Sequence, residues 1–246
     1  MGLALRILGA LMAGVALVAS VGALHSGVGQ GALGLVQEPQ HSFPPTGWQA
    51  IAADRPVRVL LLGTSLTASG TWDAALQAQL SACRPGGVVV ERLARPGANS
   101  AWGRDALHLR LQTGPAPDLL VIEFTINDAS LWHGMTLGKS HARHSDMLAM
   151  AQQAGIAATW LSTMSPAFGR EAWERPGQTA YRAAYADLAH DQGAGLIALT
   201  PVWQALAPAA RAAAMPDGLH PTDAAMQAIT TPALAANLAA VLCSAG

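Results

Sequence analysis

The sequence predicts an α/β protein: a three-layer α/β/α sandwich around a five-stranded parallel sheet. Three observations predict it. From Pro56 onward, short β-rich runs alternate with longer segments of helical spacing. The runs are almost continuously apolar, as expected of strands covered on both faces. Of the 246 residues, 51% are hydrophobic and 12% charged. That composition excludes general disorder, and a chain this long can bury a core without staples.

The elements follow in order. Strands are predicted at 57–62 (VRVLLL), 88–93 (VVVERL), 119–124 (LLVIEF), 156–161 (IAATWL) and 196–199 (LIAL). Segments 72–82, 101–111, 140–154 and 178–192 carry apolar residues at helical spacing, and a last helix spans 221–242. No internal repeat interrupts the alternation. The implied winding is flavodoxin-like, and in such folds chemistry gathers at the carboxyl ends of the strands.

The segment before residue 56 is different. The first 37 residues hold one charged side chain, Arg6, followed by the apolar run 7–24. Residues 1–24 read as an export signal, or as a membrane anchor formed by 7–24. Either places the rest outside the cytoplasm, periplasmic or secreted. Residues 25–55 are rich in Gly and then Pro, and read as a linker or extended lead-in, leaving 56–246 as the folded domain. Gly29-x-Gly31-x-x-Gly34 matches the dinucleotide fingerprint in letters only, since no strand precedes it. A formal charge of −1 gives no field for nucleic acid. With Cys83 and Cys243 alone, disulfide-rich scaffolds and Cys-x-x-Cys metal or redox motifs are excluded.

Four segments carry chemistry. Gly63-Thr64-Ser65-Leu66 ends the first strand and opens a turn in which backbone N–H groups can hold an anion. Ser65 suits a nucleophile there, and equally a helix cap. Gly97, in the exit from the second strand, permits close backbone approach to a ligand. Asn127, beyond the third strand, can donate its amide to an oxyanion. Near the carboxyl end, Asp217-Gly218-Leu219-His220 places a carboxylate where it can take the Nδ1 proton of the imidazole. A capping turn is the structural alternative.

Together these residues resemble the SGNH hydrolases, or GDSL esterases, whose blocks supply Ser, Gly, Asn and Asp-x-x-His in this order. The resemblance covers roughly 56–243. It implies Ser65 as nucleophile, His220 as general base and Asp217 as its orienting acid. The Ser65 N–H, Gly97 N–H and Asn127 side chain would form the oxyanion hole. It implies no cofactor. Thr64 replaces the usual Asp, which should alter local hydrogen bonding without removing a reacting group. Thr125 replaces a usual Gly and is expected to narrow the acyl pocket.

Rival patterns fall short. Position 67 is Thr, so the Gly-x-Ser-x-Gly elbow is missing. His141-x-x-His144 with Asp146 has metal-ligand spacing but no third ligand fixed by it, and reads as a solvated helix start; no metal site is expected. Glu123 reads as a strand acid satisfied by neighbouring donors. Residues 129–139 should overhang the site, with Trp132 and His133 as a substrate wall or, for Trp132, ordinary packing.

The expected activity is hydrolysis of short acyl esters, acetyl esters of carbohydrate foremost. O-acyltransfer by the same residues, lysophospholipid or thioester cleavage, and a non-catalytic binding module are the alternatives. In a flavodoxin-like topology the helices ending at Cys83 and Cys243 share a face and run parallel. The two cysteines are therefore either a disulfide or two small apolar residues packed at helix ends.

Overall fold

The computed structural model describes residues 36–52 and 54–243. The apolar run 7–24 and the Gly29-x-Gly31-x-x-Gly34 match lie outside them. Strands β1 (Val57–Gly63), β2 (Val88–Ala94), β3 (Leu119–Ile122), β4 (Ala158–Ser162) and β5 (Gly195–Ile197) form one parallel sheet in the order β2-β1-β3-β4-β5. This is the flavodoxin-like order, with its switch point where the winding reverses beside β1.

Alternation along the strands builds two cores. Val59 and Leu61 of β1, with Leu119 and Val121 of β3, face helices α2 (Trp72–Ser81) and α10 (Asp223–Leu242). Leu60 and Leu62, with Leu120 and Ile122, face α3 (Ser100–Thr113), α5 (Leu137–Gln153) and α7 (Gln178–Asp191). Successive side chains of a strand point to opposite faces, so runs buried on both sides must be apolar throughout. Helix α10 has the length and composition to cross a membrane, but here Leu234, Leu238 and Val241 are core residues. Met226–Thr230 within it is π-helical.

Boundaries shift where local donors change partner. The third strand stops at Ile122 rather than 124. Glu123 N still donates to Leu62 O at 3.0 Å, but Phe124 N turns away to the Tyr185 hydroxyl at 2.9 Å. The fourth begins at Ala158 rather than 156, because Ile156 N closes the end of α5 on Ala151 O at 3.0 Å. Short helices α1 (Ser65–Ala68), α4 (Thr125–Asp128), α6 (Gly169–Trp173), α8 (Thr200–Gln204) and α9 (Pro208–Ala214) complete the chain. None is long enough to show a periodicity.

The described part of the Gly/Pro-rich lead-in lies against the domain. Phe43 makes an antiparallel bridge to Leu196, covering the free edge of β5. Glu38 pairs with the buried Arg182 at 2.6 Å, and the Arg84 guanidinium caps the carbonyls of Ile51 and Ala52. Pro56 thus marks the start of the sheet, while packed residues extend back to Glu38.

Helices α2 and α10 share one face of the sheet. Cys83, just past α2, and Cys243, at the end of α10, form a disulfide with Cα atoms 5.7 Å apart. It sits at the amino ends of the strands, opposite Ser65. Of the two readings of these cysteines, the bonded one is found.

Candidate active site

The site is built on the carboxyl ends of β1, β2 and β3, with one turn brought in from α9–α10. Ser65 opens α1, so its N–H is an orphan donor of a first helical turn. Thr64 caps that turn by accepting from Leu66 N at 3.2 Å. Beneath it lies Glu123, 3% exposed. Its carboxylate accepts from Thr64 N at 2.5 Å, Thr64 Oγ1 at 2.9 Å and Thr67 Oγ1 at 2.7 Å. A Cβ at position 63 would collide with that carboxylate and with Thr67 Oγ1. Gly63 is therefore required by the approach of Glu123. Burial pushes the Glu123 carboxyl up to about 7, against the hydroxyl and N–H donors that favour its ionised form.

The sequence-predicted triad assembles. Ser65 Oγ lies 2.9 Å from His220 Nε2, and His220 Nδ1 lies 2.7 Å from Asp217 Oδ2. Asp217 Oδ1 accepts from Leu219 N at 2.8 Å and His220 N at 2.7 Å. The carboxylate thus shapes the turn and orients the ring at once. Burial alone would raise the Asp217 carboxyl; the bonds from His220 N, the His220 ring and Leu219 N outweigh it and hold it below its ordinary value. With Nδ1–H given to Asp217, Nε2 is free to accept the serine proton. The side chains of His220 and Asp217 are 42% and 54% exposed, so the relay opens to solvent.

Two of the three oxyanion candidates, Gly97 and Asn127, are linked through Ala98. Gly97 has φ +71°, a left-handed conformation in which glycine is at ease. Asn127 Nδ2 donates one hydrogen to Ala98 O at 2.7 Å, leaving its second hydrogen for another acceptor. That bond ties the Asn127 amide to the residue after Gly97. Asp128 Oδ1 accepts from Ser100 N at 2.8 Å, joining the same loop to α4, and Ser140 Oγ donates to Asp128 Oδ2.

Several expectations need correction. Thr125 is buried and is not among the residues that line the two clefts described below. His144 is not part of a solvated helix start. It is 1% exposed, with Nδ1 against Ser140 O at 2.8 Å and Nε2 against the Tyr185 hydroxyl at 2.7 Å. Both ring nitrogens are thereby engaged, and burial pulls its pKa down. Among the described residues no group of three metal-ligating side chains occurs. Trp132 is 80% exposed, which rules out ordinary packing; its indole N–H donates to Glu174 at 3.0 Å. Trp132 and His133 are not among the residues that line the two clefts described below.

Sequence reasoning did not find the walls of those clefts. A cavity of about 70 Å³ beside Ser65 and His220 is lined by Leu66, Ser69, Gly70, Pro221, Asp223 and Met226. A broader depression of about 380 Å³ borders Asp217 and Gly218 on the other side. Asp223 holds the first in shape, accepting from Thr71 N and Thr71 Oγ1, both at 2.8 Å. The local cue was a Pro-Thr-Asp helix start, which by itself signals only a cap.

Comparisons with known proteins bear on the family and the fold. The GDSL-like Lipase/Acylhydrolase family matches residues 61–228. No curated protein matches the chain. Among solved structures, a lipase/acylhydrolase from Enterococcus faecalis superposes with TM-score 0.63 at 20% identity, covering 74% of this chain and 95% of that one. A catalytic mutant of an acetylxylan esterase from Geobacillus stearothermophilus gives 0.61 at 17% identity, covering 75% and 94%. The aryl esterase of M. smegmatis gives 0.61 at 18% identity, covering 76% and 100%. At such identities the likeness is one of fold. The family match spans most of the chain, from the end of β1 through the His220 turn and into α10, and on it this chain belongs to the GDSL-like lipase/acylhydrolase family, the SGNH esterases.

Proposed function

We propose that the protein is an exported serine esterase that removes short acyl groups, acetyl foremost, from carbohydrate. The observation that carries the mechanism is the continuous relay Ser65 Oγ–His220–Asp217, with contacts of 2.9 and 2.7 Å. His220 Nε2 takes the Ser65 proton as Oγ attacks the ester carbonyl. The Ser65 N–H, Gly97 N–H and Asn127 amide receive the charge on the tetrahedral oxygen. His220 then returns the proton to the departing alcohol, and water, activated by the same nitrogen, cleaves the acyl-enzyme.

The cavity of about 70 Å³ beside Ser65 favours a short acyl group. The open, half-exposed relay favours a bulky alcohol such as a sugar. The acetylxylan esterase among the structural neighbours agrees with both preferences. Export is supported by Arg6 with the apolar run 7–24 and by the disulfide, which persists in oxidising compartments.

The test is a series of 4-nitrophenyl esters from acetate to decanoate, together with acetylated xylo-oligosaccharides. kcat/KM is expected to be highest for acetate and to fall with chain length. A maximum at long chains would replace this reading with a lipase. Transfer of acetate to an added sugar in preference to water would make it an acyltransferase. Cell fractionation checks export: full-length protein confined to the cytosol would remove that part.

A further inference from the structure

We infer that the depression on the Asp217 side of the triad is an anion subsite, in which Arg211 binds a carboxylate or phosphate carried by the alcohol part of the ester. The inference rests on the esterase reading above and names the chemistry of its leaving group.

The depression, about 380 Å³, is lined by Phe168, Arg170, Arg211, Met215, Asp217 and Gly218. Arg211 lies against one wall, its guanidinium carbon over the Phe168 ring and 4.3 Å from its centre. A guanidinium held over a ring face loses part of its freedom before a ligand arrives, which lowers the entropy cost of using it. Among the described residues the fork has no hydrogen-bond or ion-pair partner. The carboxylates nearby are already engaged. Asp217 is held by His220 and two backbone N–H groups. Glu171 pairs with Arg175 at 2.7 Å. Glu174 takes the Trp132 indole at 3.0 Å and lies 3.8 Å from Arg170. Arg211 is therefore a cation without an ion-pair partner in a concave site, and Arg170, 3.8 Å from Glu174, stands at its rim.

The position of the depression assigns the group it serves. It borders the turn that carries His220, and His220 gives its proton to the leaving alcohol. An alcohol released there extends over Asp217 and Gly218 toward Arg211. A guanidinium fork matches a carboxylate or phosphate through two parallel N–H···O bonds. Sugars that fit are acetylated uronic acids and acetylated sugar phosphates.

The test compares three esters with a common ring: an O-acetyl hexose, the corresponding O-acetyl uronate and the O-acetyl 6-phosphate. Wild type is expected to prefer a charged member, and the preferred one identifies the anion as carboxylate or phosphate. Arg211→Ala and Arg211→Gln should lower kcat/KM on that ester roughly 10–100-fold, the range for a lost hydrogen bond to a charged group, while changing 4-nitrophenyl acetate by no more than about twofold. Arg211→Lys should fall between, since it keeps the charge and loses the fork. Arg104→Ala, which removes a remote surface charge, should leave the ratio unchanged. Indifference of wild type to charge, or equal losses on charged and neutral esters, overturns the subsite. If wild type fails to cleave even 4-nitrophenyl acetate, the esterase reading has failed instead. Calorimetric titration of the uronate and the sugar 6-phosphate into Ser65→Ala, with and without Arg211→Ala, then decides the subsite separately. Binding lost with Arg211 supports it, and binding unaffected or absent overturns it.

Discussion

The two halves of the active site are made in opposite ways. The His220 side is local and exposed: one turn of four residues contains His220 and Asp217, and Asp217 shapes that turn through two backbone N–H groups at 2.7 and 2.8 Å. The region around Asn127 is buried and assembled from distant segments. Asn127 bonds Ala98, Asp128 bonds Ser100 and Ser140, and Tyr185 bonds Phe124 N and His144. A short exposed turn specifies itself. A charge-stabilising pocket must be rigid before the reaction begins, because donors that reorganise during the step lose their advantage. That rigidity comes from packed layers, and the sheet supplies them.

The largest expected effect breaks both halves at their meeting point. Ser65→Ala should lower ester hydrolysis by several orders of magnitude while leaving the fold intact, since the buried donors that hold the turn belong to Thr64 and Thr67. Burst kinetics with 4-nitrophenyl acetate and a circular-dichroism melt check the two claims. Retained turnover would end the serine mechanism.

Asn127→Ala separates the halves. The Ser65–His220 relay should persist, so labelling by a phosphonate probe continues at a reduced rate. kcat should fall roughly 10²–10³-fold with a smaller change in KM. A loss confined to KM would make Asn127 a substrate-binding group instead.

This contrast also explains what the sequence disclosed. The strands were visible because burial on both faces of a parallel sheet forces unbroken apolar runs such as 119–122. Ser65, Asp217 and His220 were visible because each sits in a short motif, and three residues is the spacing that brings the His220 ring onto the Asp217 carboxylate. His144 was misread because its partners, Ser140 and Tyr185, lie on two different helices, and no spacing along the chain joins His144 to Tyr185. The clefts stayed hidden for the same reason, since Ser69, Asp223 and Met226 meet only in space. Arg211 sits in an Ala-rich stretch that offers no local signal, and its stacking on Phe168 depends on the fold of α6 and α9.

The disulfide is remote from both halves and serves as their control. It closes a sequence separation of 160 residues, for which chain-entropy reasoning allows a stabilisation of up to about 5 kcal/mol. Cys83→Ser with Cys243→Ser should therefore lower the denaturation midpoint in urea. kcat measured well below that midpoint should stay within about twofold, because no group that touches the ester is displaced. A large fall in kcat without unfolding would mean that strain at the amino ends of the strands reaches the site.

The smallest effect sharpens the comparison through pH. Glu123 has its carboxyl raised to about 7 in the folded protein, so between the ordinary carboxylate range and 7 the folded state binds more protons than the unfolded one. Its contribution to stability is then full at acid pH and falls as pH rises through 7. His144 works the other way: its lowered pKa makes stability rise with pH as the unfolded histidine loses its proton. The net slope of the wild type mixes the two, and a difference measurement separates them. Glu123→Gln keeps the shape and one acceptor oxygen but cannot ionise. Its stability relative to wild type, from urea unfolding at pH 5, 6, 7 and 8, should improve steadily with pH. The variant should retain most of its kcat, because the amide oxygen can still accept from Thr64 N or Thr67 Oγ1. A relative stability that does not change with pH would show that Glu123 keeps one protonation state throughout, and that its donors outweigh the cost of its burial.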